Sequence, residues 1–205
     1  MSVSLRKFMR EDIPHKVRWI NDPENNRFLH YALPLTEEGT ESWFDRVKDS
    51  PSRIDMTIIF RGVPVGILGL LQINHQNRSA ELYITIGEAS CKGKGIAGEA
   101  IRQLLGYAYN EMGLHRIYLL TETDNLAAVR AYEKFGFRRE GCLRDELVNR
   151  HGVFVSRYVY AMLKEEYEER YGEDKANTDS LFGREFRQSN LCYARRSDPV
   201  LVRRE

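Results

Sequence analysis

The residues best suited to chemistry lie at 81–99, where the chain reads ELYITIGEASCKGKGIAGE. Leu82, Ile84 and Ile86 alternate with Glu81, Tyr83 and Thr85 at strand period, and a helical pattern begins after Gly95. Between the two sits a turn of Lys92, Gly93, Lys94 and Gly95. Glycines let backbone N–H groups converge on one point. The first turn of a helix holds donors without intrahelical partners, and its dipole favours negative charge. The stretch therefore predicts an anion site for a phosphate-bearing ligand.

Two familiar phosphate loops fit it poorly. Gly93, Gly95 and Gly98 satisfy the dinucleotide pattern GxGxxG, but residues 88–92 separate the strand from the first glycine, where that motif leaves almost no gap. The strand also alternates, as a half-exposed strand does, instead of running apolar as in a doubly wound parallel sheet. A nucleoside-triphosphate loop would need Ser or Thr after Gly93-Lys94, and Gly95 stands there.

Composition narrows the classes further. With 205 residues, 42% hydrophobic and 30% charged, the chain suits one domain with a sizeable core. A formal net charge of +1 argues against nucleic acid as the main partner. The chain shows no bilayer-length apolar run and no signal-peptide core, which predicts no membrane and a cytoplasmic location. Cys91, Cys142 and Cys192 are odd in number and far apart, in keeping with a reducing compartment. His15, His30, His75, His115 and His151 show no ligand spacing, so no metal is expected.

The elements that must position the loop follow from periodicity. Strands are predicted at 3–8, 56–60, 63–73, 81–87, 116–120 and 137–141, followed by a hairpin of 143–148 with 153–162 turning at 149–152. Ile13, Val17 and Ile20 mark a helix stopped by Asn21-Asp22-Pro23, and Thr36 caps another through Trp43, Phe44 and Val47. Ala97, Ala100, Ile101, Leu104, Leu105, Ala108 and Met112 define a long amphipathic helix closed at Gly113. A further helix carries Ala128, Ala131, Tyr132 and Phe135, opened by Thr123-Asp124-Asn125 and closed by Gly136. Three strands in meander order predict antiparallel pairing, whereas the long helix before 116–120 predicts a parallel neighbour for 81–87. The class is α+β: a mixed, mostly antiparallel sheet with a central parallel strand pair and flanking helices. Residues 1–171 form the domain. The acidic run after Lys164 continues as a helix, and 172–205 reads as a tail, flexible or docked on a neighbour.

KGKGIAGEAI, followed by HRIYLLTETDN and AAVRAYEKFGF, resembles the acyl-CoA-binding core of the GNAT superfamily of N-acetyltransferases. The likeness covers roughly residues 56–163. The family's pyrophosphate loop has the form Arg/Gln-x-x-Gly-x-Gly/Ala, matched here by Lys92-Gly93-Lys94-Gly95-Ile96-Ala97, with lysine at the first position. The resemblance implies the GNAT fold and acetyl-CoA as cosubstrate. It implies that backbone groups of Ile84, Thr85 and Ile86 pair with the pantetheine arm, and that amides from Lys92 to Ala97 take the pyrophosphate. Asn125 would bond the pantetheine, and Tyr132 would protonate the departing thiolate. The reference pKa values, about 10 for the phenol and about 8.5 for a thiol, make Tyr132 a usable general acid when positioned.

A primary ammonium must lose a proton before it attacks. Glu81, on the strand beside the reacting carbon, is the candidate base, with Glu122 or water as alternatives; Leu120 stands where some ribosomal-protein acetyltransferases carry a glutamate. Trp19 to Asp22 (WIND) and the Trp43-Phe44 pair resemble acetyltransferases of small amines, both polyamines and nucleotide-linked amino sugars. They also resemble enzymes that acetylate ribosomal-protein N-termini. An acidic acceptor pocket would favour a polyamine, a basic or aromatic one a nucleotide sugar. A homodimer fits this architecture, and a non-catalytic acyl-CoA-binding module is the rival reading.

Overall fold

The computed structural model describes residues 2–172; residues 173–205 and the expected tail, with Cys192, lie outside them. Its strands are β1 (Val3–Lys7), β2 (Ile54–Phe60), β3 (Val63–Asn74), β4 (Ser79–Ile86), β5 (Arg116–Glu122), β6 (Arg138–Val148) and β7 (Phe154–Leu163). The helices are α1 (Ile13–Asn21), α2 (Pro23–Asn26), α3 (Glu37–Val47), α4 (Ile96–Asn110), α5 (Leu126–Phe135) and α6 (Lys164–Tyr171). The strands make one seven-stranded sheet in the order β1-β2-β3-β4-β5-β7-β6. Every pair is antiparallel except β4 with β5.

Strand alternation gives the sheet two apolar faces. Leu68, Leu70 and Leu82 join α4 through Ala100, Ile101, Leu104 and Leu105 in the larger core. Ile67 and Tyr83, one residue out of phase, meet Phe8 after β1, α1 through Trp19 and Ile20, and α3 through Trp43. Each fully buried Leu or Ile on α4 contributes about 1.5–3 kcal/mol, which holds that helix, and the loop before it, against the sheet.

Local chemistry shifts several boundaries from the sequence expectation. Pro23 does end α1, but Asp22 then accepts a hydrogen bond from Glu24 N (2.9 Å) and starts α2. A proline at the first helical position forfeits only an amide that has no helical partner anyway. The segments expected at 137–141 and 143–148 are one strand, β6, with register shifts between Arg139 and Gly141 and between Leu143 and Leu147. Such bulges hide a continuous strand because they break its alternation. Helix α4 ends at Asn110, so Met112 and Gly113 lie just beyond it.

Strands β4 and β5 stay together for three rungs only: Ser79 with Arg116, Ala80 with Ile117, and Glu81 with Tyr118. Beyond these, β4 continues along β3 and β5 along β7. The sheet is thus split at its centre.

Candidate active site

The glycine turn stands at the open end of the split. Gly93 and Gly95 both adopt the left-handed conformation, with φ of +73° and +77°. Gly95 is the N-cap of α4 and offers no side chain to satisfy the first-turn amides. Those amides, on Ile96, Ala97 and Gly98, have no acceptor within the helix by its own geometry. Lys92 and Lys94 are exposed beside them. Backbone donors, two cations and a helix dipole thus meet at one place suited to an anion.

Asn125 and Tyr132 come from α5, across the split. Asn125 is the N-cap, its Oδ1 accepting from Ala128 N at 3.2 Å. The cap uses the carbonyl oxygen and leaves the amide nitrogen of the same side chain as a donor. Tyr132 is half-buried, its ring edge-on to Phe137 at 5.9 Å and tilted against Tyr160 at 6.5 Å. Burial pushes its phenol up to about 12, so it carries its proton throughout neutral pH.

Glu81 faces away from the α4 core, since its neighbour Leu82 points into it. Its Oε2 accepts from Gln72 Nε2 at 2.9 Å. Burial lifts its carboxyl above the ordinary value, Arg157 opposes that, and Glu146 adds to it. Arg157 donates from Nε and Nη2 to Glu146 at 2.5 Å each, and Glu146 in turn feels the charge of His30. His30 Nε2 lies 3.2 Å from Oε1 of Glu122, the buried last residue of β5. Both candidate bases thus belong to one polar row, on the face opposite α4. From Glu122 a cleft of about 400 Å³ runs outward between the turn of β6 and β7 and the segment after α2.

The sequence reading singled out Trp19 to Asp22 but not the contacts by which these residues hold this second wall. Asn21 Nδ2 donates to Leu35 O, and Leu35 N donates back to Asn21 Oδ1, both at 2.8 Å. Trp19 packs on Gly87, where a Cβ would fall 2.0 Å from the ring, and its Nε1 donates to Glu88 at 2.8 Å. Asn25 Nδ2 ties Gly87 O at 2.9 Å. The WIND segment is therefore a staple that fixes the wall to the end of β4. Beneath it, Arg53 grips Asp55 (2.6 and 2.8 Å), and Tyr83 donates to the same carboxylate. Lys16 stands 3.0 Å over the Trp43 ring, and burial lowers its amine to about 7. The available signal was three neighbouring asparagines, whose long-range partners no local pattern shows.

This arrangement matches a known class. A sequence profile of the acetyltransferase (GNAT) domain matches residues 2–138. The chain belongs to the GNAT acetyltransferase family, whose members use acetyl-CoA. Among its relatives is the spermidine N(1)-acetyltransferase of Vibrio cholerae, 31% identical over 170 residues, covering 77% of this chain and 95% of that one. The Escherichia coli enzyme of the same name is 30% identical over 152 residues, covering 71% and 77%. A crystal structure of the Vibrio cholerae spermidine N-acetyltransferase with CoA and spermine superposes with a TM-score of 0.75 at 25% identity, covering 80% of this chain and 97% of that one. Among the described residues no group of three or more His, Cys, Asp or Glu could hold a metal, and no helix is long and apolar enough to cross a membrane.

Proposed function

We propose that the chain transfers an acetyl group from acetyl-CoA to a primary amine of a small molecule, a polyamine or an amino sugar, directly within a ternary complex. The observation that carries this reading is the split sheet, with Tyr132 across it on α5 and Glu81 at its apex on the face opposite α4. Acetyl-CoA supplies the activated thioester. Backbone groups of Ile84, Thr85 and Ile86 hold the pantetheine arm and polarise its carbonyl; amides from Lys92 to Ala97 hold the pyrophosphate; the Asn125 amide nitrogen steadies the arm. Glu81 accepts the proton that the ammonium loses, directly or through water. Tyr132 gives one to sulfur as the N–C bond forms and the C–S bond breaks. The second proton that the nitrogen sheds on becoming an amide passes through solvent to the phenol, and the one on Glu81 leaves to solvent, for a net release of one proton. The relatives' names support a polyamine. A nucleotide-linked amino sugar is the second acceptor reading, favoured by arginine and phenylalanine at the cleft mouth. A homodimer along β6, one of the two edge strands and exposed at all but Leu147, completes the expected partners.

The test is release of free thiol from acetyl-CoA against polyamines, amino sugars, amino acids and N-terminal peptides. Turnover with a small amine, lost in Tyr132→Phe, supports the reading. Acetyl-CoA binding with no thiol release from any amine would favour a non-catalytic module instead.

A further inference from the structure

The cleft that leads out from Glu122 changes character along its length. Its inner end holds Glu122, which His30 meets at 3.2 Å; on the same sheet face Glu146, paired with Arg157, lies within electrostatic reach of Glu81. Its outer end is built from Arg27, Phe28, Arg150 and Phe154, with His151 alongside. Asp124, exposed beside Thr123, is the carboxylate that joins Glu122 in its lining. Arg150 Nη1 donates to the Asn26 side-chain oxygen at 2.5 Å, tying the turn of β6 and β7 to α2, and the Arg27 guanidinium lies 5.1 Å from the Phe28 ring centre. Among the described residues neither guanidinium has a carboxylate partner. Phe154 is 64% exposed and Val153 56%, an apolar shelf at the same mouth. Arg150 Nε also donates to His151 Nε2 at 3.4 Å. Guanidinium groups without a carboxylate partner suit phosphate oxygens, and exposed aromatic faces suit planar rings.

We propose that the acceptor is a primary amine joined to an anionic, ring-bearing remainder, as in a phosphate-linked amino sugar, with the amine at Glu81 and the remainder on Arg27, Arg150 and Phe154. This deepens the small-amine reading above and rests on it. An ammonium is drawn to the acidic inner end by charge alone. A polyamine would lay its second ammonium against two arginines, whereas a phosphate there gains charge-assisted hydrogen bonds. The acidic end explains why an amine enters. The basic end selects what the amine is attached to.

The experiment compares kcat/KM of the full chain for glucosamine, glucosamine 1-phosphate, UDP-glucosamine and spermidine, with acetyl-CoA saturating. Glucosamine 1-phosphate should exceed glucosamine by roughly tenfold, since one charge-assisted hydrogen bond is worth about that much in rate. UDP-glucosamine should exceed glucosamine 1-phosphate if the ring that matters is the base, and match it if the sugar alone is read; both arms support the proposal. In Arg27→Gln with Arg150→Gln, the ratio of anionic to neutral acceptor should collapse toward one, and Arg150→Lys should keep part of it. A fold defect would lower all acceptors together and leave that ratio in place. Spermidine exceeding both anionic acceptors, or a ratio unmoved in the double variant, overturns the proposal while acetyl transfer to a small amine stands. No thiol release from any of the four, spermidine included, sinks the transferase reading and this proposal with it.

Discussion

The two sides of the split sheet are built from different materials. On the side proposed for the coenzyme the groups are mostly backbone: the β4 edge, two left-handed glycines and the first turn of α4, with Asn125 and Tyr132 following within one strand–helix unit. On the side proposed for the acceptor they are side chains drawn from distant stretches, with His30 meeting Glu122 and Arg150 meeting Asn26. A backbone site leaves a contiguous motif, because turn geometry dictates glycine and helix starts dictate spacing. A side-chain site assembled over more than a hundred residues leaves none. The first kind serves one donor; the second can be rebuilt for new acceptors on the same frame.

Substitutions can break that division of labour. The largest effect is expected at Tyr132. Tyr132→Phe should lower kcat by about 10²–10⁴ for every acceptor alike, with the KM for acetyl-CoA little changed. A loss confined to one acceptor would move Tyr132 to the other side of the comparison. Glu81→Gln should cost roughly ten- to hundredfold in kcat/KM and alter the pH profile. Only the ionised carboxylate accepts a proton, and burial raises its pKa. Wild-type activity should therefore fall as pH drops through a value above the usual 4.5. A variant that keeps this acidic limb would assign it to Glu122.

Lys16 probes how rigidly the acceptor wall is built. Its amine is depressed from 10.5 to about 7 in the folded chain, so between those values the unfolded state binds more protons. Folding stability of the wild type relative to Lys16→Met should accordingly rise with pH from about 7 toward 10.5, by at most about 1.4 kcal/mol per pH unit. Urea denaturation at pH 7 and pH 9.5 measures it; a flat difference would mean that Lys16 reaches water. Smallest is Asn125→Ala, expected to cost about 1 kcal/mol as a lost helix cap and to raise the KM for acetyl-CoA a few-fold. Unchanged acceptor KM values would keep Asn125 on the coenzyme side.

Periodicity and turn chemistry carried most of the architecture into the sequence. The alternation of 82–86, the Asn125 cap, and the stops at Asp22 and Gly136 all appear where their local physics puts them. What stayed hidden depended on partners far along the chain. The β6 bulges erase alternation, and the Asn21–Leu35 staple looks in sequence like a polar turn. Glu81 was visible as a strand residue, but its row of Gln72, Arg157 and Glu146 requires three other strands to be in register. The basic mouth of the cleft was equally illegible, since Arg27 and Arg150 become neighbours only through Asn26.

The three-rung pairing of β4 and β5 has one more consequence. A seam left open in the middle of a sheet is a built-in weakness, because peptide groups along it lack the cross-strand partners that the rest of the sheet supplies. A pantetheine arm lying there would act as a keystone as well as a reactant. Donor supply would then set how firmly the two half-sheets are held, adding about 2.7 kcal/mol of stability at a hundredfold excess over the dissociation constant. A cell rich in acetyl-CoA would hold a sturdier protein than one that is starved of it.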